Sequence, residues 1–102
     1  MIKLADAKKI YQSLRRKGLN AEYVGGLWKG KEVLHDIDLI VRYRNSVHDI
    51  DIIKRSRISA PIELYVVDDS MYVRLRKALR ATTYEAIQGR LMKGLKFKRM
   101  AL

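Results

Sequence analysis

Apolar positions in this chain first repeat at helical spacing and then switch to strand-like runs. Between Leu4 and Lys17 they fall at 4, 7, 10, 11 and 14, which predicts an amphipathic helix. Gly18 is placed to cap it, and Arg15, Arg16 and Lys17 lie where cations favour the helix dipole. Asn20 to Val24 predicts a short strand delivering the chain to a Gly25-Gly26 turn. Residues 27–34 predict one helical turn or an irregular loop. There Trp28, the only tryptophan, is expected to pack on the sheet edge or to stack on a base or sugar. The β-branched run from Asp36 to Tyr43 predicts a second strand.

Residues 44–60 hold a near-copy of that strand, HDIDLIVRYR at 35–44 against HDIDIIKRSR at 48–57. The segment reads either as the far arm of a hairpin turning at Arg44-Asn45-Ser46 or as a short helix with Ser46 as its N-cap. Ile62 to Val67 predicts a further strand, Met71 to Arg80 a helix, and Thr83 to before Gly94 another helix with capping-box spacing at its start. Leu95 to Leu102 alternates apolar and basic residues, predicting a last strand with one wet, positive face.

The composition limits what such a chain can be. At 102 residues it is expected to form one domain. No apolar run approaches the ~20 residues of a membrane span, and the start, MIKLADAKK, lacks a signal-peptide core. The absence of cysteine excludes disulfides and thiolate metal sites. A cytoplasmic protein with no membrane partner is expected. The net charge of +11 calls for an acidic partner, most simply nucleic acid, although an anionic membrane surface would serve the same electrostatics, or else marks a solvated surface. From Arg74 onward there are nine basic residues against one acid, Glu85. Within that stretch Arg90, Lys93, Lys96 and Lys98 are candidate phosphate contacts.

The candidate chemistry lies between Gly25 and Asp38. On a strand, residues i and i+2 share a face, so Asp36 and Asp38 project together while Ile37 turns to the core. Two adjacent carboxylates repel, and a shared divalent cation relieves that repulsion. The glycines upstream suit a turn whose backbone N–H groups approach a phosphate. Glu63 stands alone among apolar neighbours, where a carboxylate is costly unless paired, metal-bound or turned to solvent. In the second Asp-x-Asp copy, Asp49 and Asp51 are expected to pair with nearby arginines. His35 and His48 precede the two pairs, so a transition-metal site is the alternative to a hard-cation site.

The order of these parts resembles the nucleotidyltransferase superfamily, in particular the palm of the family X DNA polymerases. Its stretch GSxRRGxxxxGDxD is similar to Gly25, Gly26, Leu27, Trp28, Lys29, Gly30 and then His35, Asp36, Ile37, Asp38, with no gap. Ile62-Glu63-Leu64 resembles the strand carrying the family's third carboxylate, and KGLKFKRMAL resembles the end of the palm. Gly26 replaces the motif serine, Trp28 stands where an arginine is usual, and Glu63 replaces an aspartate. Thr82-Thr83 is the nearest counterpart of a threonine-glycine-serine stretch, and Arg90 of a helix arginine near the nascent base pair.

The resemblance implies an α+β fold with a mixed sheet of about 4–5 strands covered by helices. It implies attack of a hydroxyl, at a DNA or RNA end, on the α-phosphate of a nucleoside triphosphate, with Mg²⁺ or Mn²⁺ as cofactor. Asp36, Asp38 and Glu63 would then be the metal carboxylates and Glu63 also the proton acceptor; Gly25, Gly26 and Lys29 would hold the β and γ phosphates. Transfer to a protein or small molecule, and a catalytically inactive palm that only binds nucleic acid, are the other functions compatible with these residues. A partner subunit or a homodimer would be compatible with the edges of a small sheet.

Overall fold

Alternation in the two central strands dictates the layering. In the computed structural model, which describes residues 1–84 and 97–102, β4 (Ile37–Arg42) and β5 (Ile62–Val67) run parallel, joined through helix α3 (Tyr43–Arg55). Strand β2 (Glu22–Val24) pairs antiparallel with β4, and β6 (Phe97–Ala101) antiparallel with β5, giving a mixed sheet in the order β2-β4-β5-β6. A separate two-stranded ribbon joins β1 (Ile2–Lys3) to β3 (Val33–Leu34). The expected α+β class and a mixed sheet within the expected 4–5 strands, here four, are both present.

Ile37, Leu39 and Val41 of β4, with Ile62, Leu64 and Val66 of β5, bury one sheet face among Ala7 and Leu14 of α1 (Leu4–Arg16) and Ile53 of α3. Ile40, Tyr65 and Val67 bury the other against Tyr72, Leu75 and Leu79 of α4 (Asp69–Ala81). A parallel strand pair covered on both faces reads as a nearly continuous apolar run, as these two do. The one-residue offset between the faces puts Asp38 and Glu63 on the α4 side with Ile40 and Tyr65.

The sheet edge is tied to α4 by Glu22. Its carboxylate accepts hydrogen bonds from the Tyr72 hydroxyl at 2.9 Å and Arg76 at 2.7 Å, with Arg80 at 3.8 Å. Partial burial would raise the Glu22 pKa, but the hydrogen bonds from Arg76 and Tyr72 outweigh it and hold the group below its ordinary value. The unfolded chain therefore binds this proton more readily, so the Glu22 contribution is present above about pH 4.5 and is lost as pH falls from there through the folded pKa. Glu22→Gln is expected to cost about 1 kcal/mol at pH 7, because the carboxylate is partly exposed and screened. The cost should shrink at acid pH; urea unfolding at pH 7 and pH 3 checks it, and equal costs at both would refute the assignment.

Two expectations are corrected here. Of the two readings of residues 44–60 the helix is the one present and the hairpin arm is not, but Ser46 is not its cap: α3 starts at Tyr43, and Ser46 lies inside its first turn with its hydroxyl donating to the Tyr43 carbonyl. Asp49 does not pair with an arginine. It is fully buried and accepts from the backbone N–H groups of Asn20 and Ala21 and from the Asn20 amide. Only Asp51 is bridged to Arg55, at 3.0 Å. The expected helix from Thr83 to before Gly94 falls largely outside the described residues.

Candidate catalytic site

Register brings the carboxylates together. Asp38 lies opposite Val24 on one side and Glu63 on the other, and Glu63 lies opposite Ala101. Asp38 and Glu63 are thus neighbours across a parallel pair, on one face. Asp36 precedes β4 and shares a hydrogen bond with Asp38. This end of the sheet is fixed by the backbone: Ile37 N–H donates to Pro61 O at 2.9 Å, and Leu102 N–H to Ile62 O at 2.8 Å.

The opposite wall is the short helix α2 (Gly25–Lys29), which leaves β2 directly. Gly25 has φ +60°, and a Cβ there would collide with the Asp38 carboxylate. Glycine is required twice over, by conformation and by proximity. At Gly26 a Cβ would run into the buried Leu34 side chain, so any side chain there has no room without moving Leu34. Gly25→Ala is expected to cost about 1–2 kcal/mol from the left-handed backbone alone. Urea denaturation measures it, and a variant as stable as the parent would show that the turn is not held as described.

Carboxylates and glycines face one cavity of about 350 Å³. Gly25, Gly26, Lys29, Asp36 and Asp38 line it, as do Lys31, His35, Thr82, Thr83, Tyr84 and Arg99. Asp38 is pushed up to about 7, first by burial and then by the charges of Asp36 and Glu63, with Arg99 opposing them. Burial and the nearby Asp38 likewise push the Tyr65 hydroxyl up, while Arg99 lowers it. Crowded acids keep a proton that isolated ones would lose.

Arg99 was not anticipated. It stands opposite Tyr65 on β6, bridges Glu63 at 3.3 Å and lies 4.2 Å from the Tyr84 ring centre. Tyr65, Tyr84 and Phe97 form an aromatic cluster beside it. Nothing local in the sequence distinguishes Arg99 from its basic neighbours; only the β5–β6 register does. Lys31 was not singled out from the sequence either; it is the cation that follows Lys29 on the far side of Gly30.

Asp36, Asp38 and Glu63 are all carboxylates, the donor chemistry that a hard divalent cation takes. Among the described residues no three His, Cys, Asp or Glu side chains are arranged to hold a metal ion. Glu63 is engaged by Arg99 instead. His35 lines the cavity, whereas His48 lies on α3 against the Gly18 carbonyl, away from it. The second Asp-x-Asp pair is split by its helix, Asp49 inward and Asp51 outward.

Of the candidate nucleic-acid contacts, Lys98 is exposed and in register with Val66, so it belongs to the sheet face opposite the carboxylates. Arg90, Lys93 and Lys96 lie outside the described residues. The basic face expected of the last strand is therefore divided, Arg99 on one side and Lys98 on the other. No helix among the described residues is long and apolar enough to cross a membrane.

The chain matches no family model, no curated protein and no solved structure.

Proposed function

We propose that this chain is a minimal metal-dependent nucleotidyltransferase that moves a nucleotide from a nucleoside triphosphate to a hydroxyl, with a DNA or RNA end as acceptor. One observation supports the reading: Asp38, beside Glu63 across the parallel β4–β5 pair, lines with Asp36 the cavity that the Gly25-Gly26 turn closes, and Gly25 sits directly against the Asp38 carboxylate. Asp36 and Asp38, joined by Glu63, would hold Mg²⁺ or Mn²⁺, which when bound offsets negative charge on the attacking oxygen and the leaving pyrophosphate.

The remaining roles belong to the chain itself. Gly25 and Gly26 line the cavity at the first turn of α2, and their backbone N–H groups would meet the β and γ phosphates there. Lys29 and Lys31 line the same cavity and supply countercharge. Glu63, once released from Arg99, accepts the proton of the attacking hydroxyl.

The Glu63–Arg99 ion pair favours a second reading, a non-catalytic palm that binds nucleic acid. The deciding experiment is incorporation of labelled nucleoside triphosphates, with Mg²⁺ or Mn²⁺, onto primed, gapped and single-stranded DNA and RNA. Asp36→Ala/Asp38→Ala serves as control. Transfer that disappears in the control supports the enzyme; salt-sensitive binding with no transfer on any acceptor favours the second reading.

A further inference from the structure

Around the corner from the carboxylates, on the outer side of the edge strand β2, aromatic rings form a ladder. Tyr11 of α1 meets Tyr23 of β2 edge-on, with ring centres 4.9 Å apart, and Tyr23 meets Trp28 of α2 at 5.5 Å. The Arg80 guanidinium, reaching over from α4, lies 3.7 Å from the indole centre and donates to the Tyr23 carbonyl. Trp28 is held by this stack and is still 45% exposed.

The indole lines two hollows. One, of about 450 Å³, is shared with Lys8, Tyr11, Gln12 and Tyr23. The other, of about 390 Å³, is shared with Arg76, Lys77 and Arg80. A large apolar ring fixed at the surface between cations is an arrangement that the core does not need.

The geometry points to a docking surface for single-stranded nucleic acid, with one base stacked on Trp28 in the groove beside Tyr11 and Tyr23, and flanking phosphates met by Lys8 and Lys77. Stacking on a fixed aromatic combined with a cationic track is how single strands are held without base readout. A duplex hides its base faces and offers nothing to the indole. The chain's charge of +11 has the complementary sign. A lipid surface would want several protruding apolar groups together, and among the described residues only Val73 of the large exposed apolar ones shares a hollow with Trp28. This surface stands beside the catalytic reading and does not depend on it.

Trp28 is the only tryptophan, so its fluorescence reports on this surface directly. Titration with single-stranded oligo(dT) and oligo(U) of about 12 nucleotides should quench the emission, with the effect reversed by salt. By anisotropy with the same oligonucleotides, Trp28→Ala should weaken binding about tenfold or more, and Trp28→Phe less. Lys8→Glu/Lys77→Glu should lower both the affinity and its salt dependence, and decides the matter if Trp28→Ala fails to fold. Binding without quenching, binding indifferent to these variants, or no binding overturns the proposal. Quenching by phosphatidylserine vesicles but not by oligonucleotides overturns it in favour of a membrane. Asp36→Asn/Asp38→Asn should quench like the parent, so loss of transfer and loss of docking are told apart.

Discussion

Asp38→Asn should abolish nucleotidyl transfer while making the metal-free protein more stable at pH 8. The activity loss is expected to be at least about 10³-fold, since a metal carboxylate underwrites several kcal/mol of charge stabilisation in the transition state. The stability gain follows from proton linkage. Asp38 has a folded pKa of about 7 against 3.8 for the free group, raised by burial and then by Asp36 and Glu63. Below pH 3.8 the carboxyl is protonated in both states and contributes nothing. Between 3.8 and about 7 the unfolded chain releases the proton that the folded chain keeps, so stability falls as pH rises. Above about 7 both states are ionised and the full cost, on the order of a few kcal/mol, persists. Asparagine removes the charge and keeps a hydrogen-bonding partner for Asp36, so the variant should gain most at pH 8 and nothing at pH 3.5. Mg²⁺ should raise the unfolding midpoint of the parent at pH 8 and leave that of the variant nearly unmoved. Urea titrations at the two pH values, with and without Mg²⁺, test both halves. A variant that still transfers nucleotides removes Asp38 from the chemistry. One less stable than the parent at pH 8 shows that the carboxylate is not crowded.

Where a single period governed a segment, the element was legible. Helix α1, the strands β4 and β5 and helix α4 each carry apolar residues at one spacing, and their faces in the structure follow from it. The pairing of Asp38 with Glu63 was foreseen only through resemblance, because register across a parallel pair is a tertiary fact that neither strand encodes alone. The Glu63–Arg99 bridge was hidden for the same reason. Helix α3 stayed open against a hairpin arm because its inward stripe runs through Ser46, Asp49 and Ile53, so two of three buried positions look polar. The ribbon of β1 and β3 is two residues long on each side, too short for any period to register.

The same buried stripe sets the second large expectation. Asp49→Ala should destabilise the protein by about 3–5 kcal/mol, while Asp51→Ala, two residues away in a matching Asp-x-Asp, should change it by less than about 0.5 kcal/mol. Asp49 is 0% exposed and receives the Asn20 N–H at 3.0 Å, the Ala21 N–H at 2.7 Å and the Asn20 side-chain amide at 3.2 Å. Its carboxylate satisfies the backbone where the chain enters β2, just after the Gly18 turn that ends α1. Alanine would strand those donors in the interior beside a void, and the cost of an unmade buried hydrogen bond exceeds the benefit of a made one. Asp51 and Arg55 are mostly exposed, and a solvated i,i+4 pair is worth little. Asp49→Asn should fall between, since its carbonyl oxygen replaces one acceptor while its amide brings unwanted donors towards N–H groups. For a domain of this size the alanine change corresponds to a fall in Tm of at least about 12 °C. Because β2 runs straight into Gly25 and pairs Val24 with Asp38, the damage should also reach the candidate site, as weaker Mg²⁺-dependent stabilisation in whatever fraction remains folded. Thermal and urea unfolding of the three variants side by side decides it. Equal losses at Asp49 and Asp51 would mean that the two copies of the motif are equivalent and that Asp49 does not hold the entrance to β2.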